Sequence, residues 1–253
     1  MSALAKPVIQ VSAVGKQYTP LTSRPSLRHE ADQLIQRAMG KASPVNWEKP
    51  PFWALRQVSF TVTAGESVAL IGRNGAGKTT LLRILANITA PSTGDVVVTG
   101  RCVGLISLGA GFRGALTGRD NLFLSAAIYG VSPLELRPLL PYILEFAELG
   151  DFIHQPIKSY SSGMLARLGF SLAVHILPEI ILLDEILAVG DAAFREKCWA
   201  KLDALRAEGR TLILVAHDEG AVLRLCDRAL WLHNGELRAD GAIEDVLAEY
   251  QSS

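Results

Sequence analysis

The stretch Gly72-Arg-Asn-Gly-Ala-Gly-Lys-Thr-Thr80 carries the densest chemistry in this chain. It fits G-x-x-x-x-G-K-[ST], the phosphate-binding loop. Its glycines let the backbone turn back so that N–H groups converge, and the positive end of a following helix completes an anion cradle. Gly72, Asn74, Gly75, Ala76, Gly77, Lys78, Thr79 and Thr80 are the candidate nucleotide contacts. Lys78 is expected to reach the β- and γ-phosphates, and the Thr79 hydroxyl to ligate Mg²⁺. A second group lies at Ile180-Ile-Leu-Leu-Asp-Glu185, an apolar run ending in two carboxylates. A carboxylate at the mouth of a parallel strand can hold Mg²⁺, the role expected of Asp184. Its neighbour points elsewhere and can polarise an attacking water, which makes Glu185 the candidate general base. His217 follows another apolar run, and a neutral imidazole there can contact the γ-phosphate or that water. Tyr18 offers a flat face for adenine, with Phe52 or Trp53 as alternative rings. Tyr160-Ser-Ser-Gly-Met164 precedes a helix expected over Leu165–Leu177 and stopped by Pro178. Its hydroxyls and N–H groups suit an anion, and locally they suit an ordinary cap equally well.

These residues need elements to hold them. Ser67–Ile71 reads as a buried strand and Leu81–Ala86 as a helix, the context the phosphate loop demands. Val8–Val14 and Leu55–Val62 alternate as strands, Asp95–Thr99 and Cys102–Leu108 follow, and Thr211–Ala216 is a buried strand that delivers His217. Ala229–His233 and Glu236–Ala239 form a hairpin around Asn234-Gly235, and Ile243–Tyr250 a short terminal helix. Thr117–Asp120 and Ser132–Glu135 read as capping boxes, the second with Pro133 at the first helical position. Asp191 is expected to cap another helix. About 117–178 is thus mostly helical. About 20–51 differs in character, rich in Pro and Ser, with one possible helix near Leu27–Met39 and Trp47, Phe52 and Trp53 at its end.

The chain has 253 residues, no net charge, 49% hydrophobic residues and a mean hydropathy of +0.25. That length suits one large α/β domain, or one with an appendage. Zero net charge argues against nucleic acid as a partner. No run approaches the roughly 18 apolar residues of a membrane-spanning helix, and no secretion signal is evident. Cys102, Cys198 and Cys226 lie far apart without metal-ligand spacing, which reads as reduced structural thiols. The excess apolarity points to a partner interface or to a large core.

In order, these pieces resemble the ATPase subunit of an ABC transporter. The resemblance implies a phosphate-loop NTPase of α/β class, with a RecA-like core, an antiparallel β subdomain and a helical subdomain, as one domain over 1–253. Tyr160–Met164 sits where the family has LSGGQ, so Ser161 and Gly163 match residues that contact the γ-phosphate of ATP on a facing subunit, and Asp191 matches the D-loop aspartate. ATP, Mg²⁺ and a head-to-tail dimer with a second copy follow from that likeness. A narrower resemblance rests on Gly109-Ala-Gly-Phe112, Leu116-Thr-Gly-Arg-Asp-Asn121, Tyr-Ser-Ser-Gly-Met, Ala188-Val-Gly-Asp191 and the insertion after Tyr18. These are similar to the subunits that export lipid-linked polysaccharides such as O-antigen, capsule and teichoic acid. They imply a peripheral place on the cytoplasmic face of the bacterial inner membrane, a membrane permease partner and a lipid-linked polysaccharide handled through it. Phe112, Leu116 and Phe123 are expected near the permease, and the insertion at a substrate entrance. A C-terminal carbohydrate-binding domain, present in some relatives, is not expected here.

The chain departs from the family in two places. The Q-loop glutamine falls at about Leu108, beside Ser107, so either Ser107 contributes or coordination rests on Thr79 and Asp184. Ser162 replaces the signature's first Gly. The alternatives are an ABC ATPase for another substrate and a nucleotide-gated adaptor with little turnover. A DNA-repair or translation ATPase is disfavoured because paired cassettes and coiled-coil arms are lacking. A small-molecule kinase leaves the Tyr-Ser-Ser-Gly element and His217 unexplained.

Overall fold

The computed structural model describes residues 6–19, 51–105, 111–184, 191–215 and 219–253. The 20–50 part of the insertion, Ser107, Leu108, Glu185 and His217 lie outside them. The element order begins β1 (Pro7–Tyr18), β2 (Phe52–Thr63), β3 (Ser67–Ile71), α1 (Lys78–Leu85), β4 (Thr93–Val98) and β5 (Cys102–Leu105). Then come α2 (Gly118–Ile128), α3 (Pro133–Leu136), α4 (Leu140–Ala147), α5 (Ser162–His175), β6 (Ile180–Asp184) and α6 (Ala192–Ala207). The chain closes with β7 (Thr211–Val215), α7 (Glu219–Leu225), β8 (Arg228–His233), β9 (Glu236–Ala242) and α8 (Ile243–Gln251).

Two sheets form. One is antiparallel in the order β2-β1-β4; the other runs β5-β6-β7-β3-β8-β9 and is parallel except for the β8–β9 hairpin. The parallel strands are apolar on both faces because both faces are covered. Along β3, Val68 and Leu70 join a core shared with Val11, Val62 and Leu82, while Ala69 and Ile71 join one shared with Leu122, Leu168 and Phe170. The same alternation divides Ile180 and Leu182 from Ile181 and Leu183. Much of the high hydropathy is therefore a core on each side of one sheet. The remainder includes Ile128, Leu134, Tyr142 and Phe152, large apolar residues exposed on the helical portion.

That helical portion is built by its caps. Thr117 Oγ1 accepts from the Asp120 amide, but it also donates to the Asp120 carboxylate at 2.6 Å. Only half of the expected capping box forms there, because Asp is one methylene too short to reach back. The Ser132–Glu135 box is complete. Pro138 then limits the regular helix that Ser132 starts, and a 3-10 turn over Arg137–Leu139 carries the chain into α4. Phe112 and Phe123 are half-buried against this core, whereas Leu116 is exposed. The three thiols are free, and burial pushes each up to about 12.

Candidate functional site

Parallel strands β6, β7 and β3 lie side by side, so their carboxyl ends open on one edge. Ligands in open α/β sheets bind outside such ends. β3 delivers the phosphate loop, β6 ends at Asp184 opposite Val215 of β7, and the chain after Val215 leads toward His217. The loop turns at Gly77, the N-cap of α1, whose φ is 106°. A side chain there would meet the Ala54 carbonyl at 2.5 Å and Leu55 Cδ2 at 2.7 Å, so backbone from β2 presses against the loop. Gly75, at φ 82°, faces open space instead. The Lys78 ammonium is buried and donates to the carbonyls of Gly72 (2.5 Å) and Arg73 (3.1 Å), which pins the charge inside the curl of the loop.

A cavity of about 280 Å³ opens over this loop, lined by Asn74 through Thr80, Asp184, Val215, Ala54, Phe52 and Tyr18. It joins backbone donors, a cation, a hydroxyl, a carboxylate and two aromatic rings. Tyr18 sits at the last position of β1, which runs four residues beyond its expected end at Val14 through bulged pairing with β2. Its ring lies 5.8 Å from Phe52, inclined at 31°, with the Lys16 ammonium 5.2 Å from its centroid. Of the three candidate rings, Tyr18 and Phe52 line the cavity and Trp53 does not. Ala54 and Val215 were not signalled by sequence, because apolar strand residues carry no motif. Lys16 had a signal: two residues before Tyr18 on one strand, it shares that ring's face.

The divalent-ion fit rests on the Thr79 hydroxyl and the Asp184 carboxylate, which line the same cavity. Two hard oxygens suit Mg²⁺, which keeps waters and takes substrate oxygens for the rest of its octahedron. Among the described residues no cluster of three or more His, Cys, Asp or Glu could hold a metal alone.

Ser161, Gly163 and Asp191 do not line this cavity. Ser161 is the exposed N-cap of α5, its hydroxyl accepting from the Met164 amide at 3.2 Å. Gly163 lies in the first turn. Asp191 caps α6 through the Phe194 amide at 2.9 Å and pairs with Arg167 at 2.7 Å. Those contacts, the amide first, hold its carboxyl below the usual carboxylate range. Arg167 also pairs with Glu148 at 2.9 Å, and its guanidinium lies 4.5 Å over the Phe194 ring. Lys197 reaches Glu148 at 2.6 Å, and these two cations, Lys197 foremost, hold that carboxyl down.

Comparison with known proteins agrees with this architecture. The family model described as ABC transporter matches residues 55–188. The teichoic acids export ATP-binding protein of Listeria monocytogenes serotype 4b is 44% identical over 211 residues, covering 83% of this chain and 63% of that protein. The O-antigen export system ATP-binding protein of Klebsiella pneumoniae is 44% identical over 202 residues, covering 80% and 82%. The chain thus spans less than two thirds of the teichoic acid relative's length. A solved dimeric ATP-binding cassette, in a post-hydrolysis state with ADP and Pi, superposes with a TM-score of 0.69 at 21% identity, covering 93% of this chain and 98% of that one.

Proposed function

This chain belongs to the ABC transporter family, and from that premise we propose that it is the ATP-hydrolysing subunit of a bacterial exporter of lipid-linked polysaccharide. The observation that carries the nucleotide part is the single cavity that joins the phosphate loop, Asp184 and the Tyr18–Phe52 rings. The loop amides and the Lys78 ammonium receive the β- and γ-phosphates, and the aromatic pair receives the base. Thr79 and Asp184 hold Mg²⁺, which neutralises charge on the phosphates. Glu185 orients the attacking water, and His217 contacts the γ-phosphate.

Ser161 is exposed and Gly163 half-buried, and neither lines their own chain's cavity. That supports a head-to-tail pair in which each chain's α5 N-terminus meets the nucleotide on the other. ATP then holds two half-sites together, and loss of the γ-phosphate releases them. Asp191 belongs to the same facing surface. No described helix is long and apolar enough to cross a membrane. In this reading the polymer passes through a separate permease. The chain docks on that permease at the cytoplasmic face of the inner membrane.

The polysaccharide assignment draws on the teichoic acid and O-antigen relatives together with the Gly109–Phe112 and Leu116–Asn121 motifs. Deleting the gene in its own cell and following radiolabelled polymer tests it. Lipid-linked polymer accumulating inside, with surface polymer lost, supports the assignment. Undiminished surface polymer overturns it, while loss of ATP turnover in Glu185→Gln tests the hydrolytic part separately.

A further inference from the structure

Asn121 is wholly buried, yet it is not among the residues that line the cavity over the phosphate loop. Its amide is nevertheless heavily used. Oδ1 accepts from the Arg113 amide at 2.7 Å, and Nδ2 donates to the carbonyls of Arg113 (3.1 Å), Leu116 (3.2 Å) and Thr117 (2.9 Å). One side chain thus fixes both ends of the 113–117 loop. A buried amide is costly unless satisfied, so this loop has one well-determined shape.

The loop is bonded in turn to the segment that enters α5. Gly118 N donates to Gln155 O at 3.1 Å, Ile157 N to Leu116 O at 3.0 Å and Lys158 N to Gly114 O at 3.1 Å. Thr117 and Pro156 form an antiparallel bridge. Tyr160 closes the unit from the other side. Its hydroxyl donates to the Phe152 carbonyl at 2.5 Å, and it stands so close to Gly118 that a side chain there would collide with it. Ser161 is the very next residue. Between the Lys158 bond and Ser161 lie only Ser159, tied back to the Pro156 carbonyl at 2.8 Å, and Tyr160 itself.

We propose that Asn121 and Tyr160 are positioning residues that join the 113–118 loop and the 155–160 segment into one rigid strap, which sets where Ser161 and Gly163 stand. A displacement of the loop then moves the α5 N-terminus with it, because the strap has no slack residue. The proposal rests on the facing-nucleotide role of Ser161 and Gly163 given above. It adds that their placement is set by the 113–118 loop.

The test is ATP-driven dimerisation of the full chain carrying Glu185→Gln, followed by analytical ultracentrifugation with ATP and Mg²⁺. Binding of a fluorescent ATP analogue to the monomer is measured alongside. Tyr160→Phe keeps the ring and removes only the hydroxyl bond, so it folds even where Asn121→Ala does not. The expected result is a dimer about three- to tenfold weaker for Tyr160→Phe, the net worth of about one hydrogen bond, and weaker still for Asn121→Ala, which removes four, with monomer nucleotide binding unchanged. Val62→Ala, a core truncation in the antiparallel sheet, lowers the melting temperature without weakening the dimer. Dimerisation equal to the parent in Tyr160→Phe and Asn121→Ala, while Ser161→Arg abolishes it, overturns the strap alone. A parent that does not dimerise, or one that dimerises despite Ser161→Arg, overturns the facing arrangement and the strap with it.

Discussion

Gly77→Ala and Gly75→Ala separate two ways in which a glycine shapes the phosphate loop. Both residues have positive φ, 106° and 82°. Each substitution carries the left-handed backbone cost, about 1–2 kcal/mol. Only Gly77 is crowded, with the Ala54 carbonyl 2.5 Å and Leu55 Cδ2 2.7 Å from the new methyl. Ala54 belongs to a bulged strand paired to β1, so it yields poorly, and overpacking adds about 1–3 kcal/mol. The sum for Gly77→Ala is about 2–5 kcal/mol, against about 1–2 kcal/mol for Gly75→Ala. In a chain of this size each kcal/mol lowers the melting temperature by about 2–4 °C. Differential scanning calorimetry should place Gly77→Ala about 2–12 °C below Gly75→Ala. Equal melting temperatures would refute the claim that β2 presses on the loop.

Other consequences follow from the same geometry. Lys78→Met removes the buried ammonium, and ATP turnover in a phosphate-release assay should fall at least about 10²-fold, in line with loss of a preorganised charge. Glu148 and Asp191 have folded pKa values below their unfolded ones, so their contribution is present above the ordinary carboxylate range and is lost as pH falls through the folded values. The melting temperature should therefore drop on acidification, and Arg167→Ala should flatten that drop in a thermal scan at several pH values. Burial pushes all three thiols up to about 12. Ellman's reagent should accordingly react negligibly with the native chain at neutral pH and with three thiols after denaturation.

The sequence was most readable where local chemistry decides structure. Ser67–Ile71 ends where Gly72 begins, so the strand before the loop has the bounds expected of it. The Ser132 box and the Asp191 cap are patterns within four residues, and both form. Reading weakened where distant contacts decide. β1 reaches Tyr18 only because β2 pairs with it across bulges, which the alternation of Val8–Val14 does not encode. The α5 helix begins at Ser162, several residues before its apolar run, because the Ser161 cap starts it. α7 carries too short a pattern to stand out before it packs. Within the candidate site, Lys78 and Asp184 announce themselves by motif. Arg167 does not, because its partners lie 19 and 24 residues away. Asn121 reads as a helix residue, and only its burial against three carbonyls of the preceding loop shows what it organises.

In the proposed arrangement two copies of this chain close around ATP, each completing the other's site. Size-exclusion chromatography of Glu185→Gln with and without ATP and Mg²⁺ tests it most directly. The expected result is a monomer-to-dimer shift that needs nucleotide and disappears in the added Ser161→Arg variant. A chain that remains monomeric at saturating ATP, or a dimer indifferent to Ser161→Arg, would contradict it.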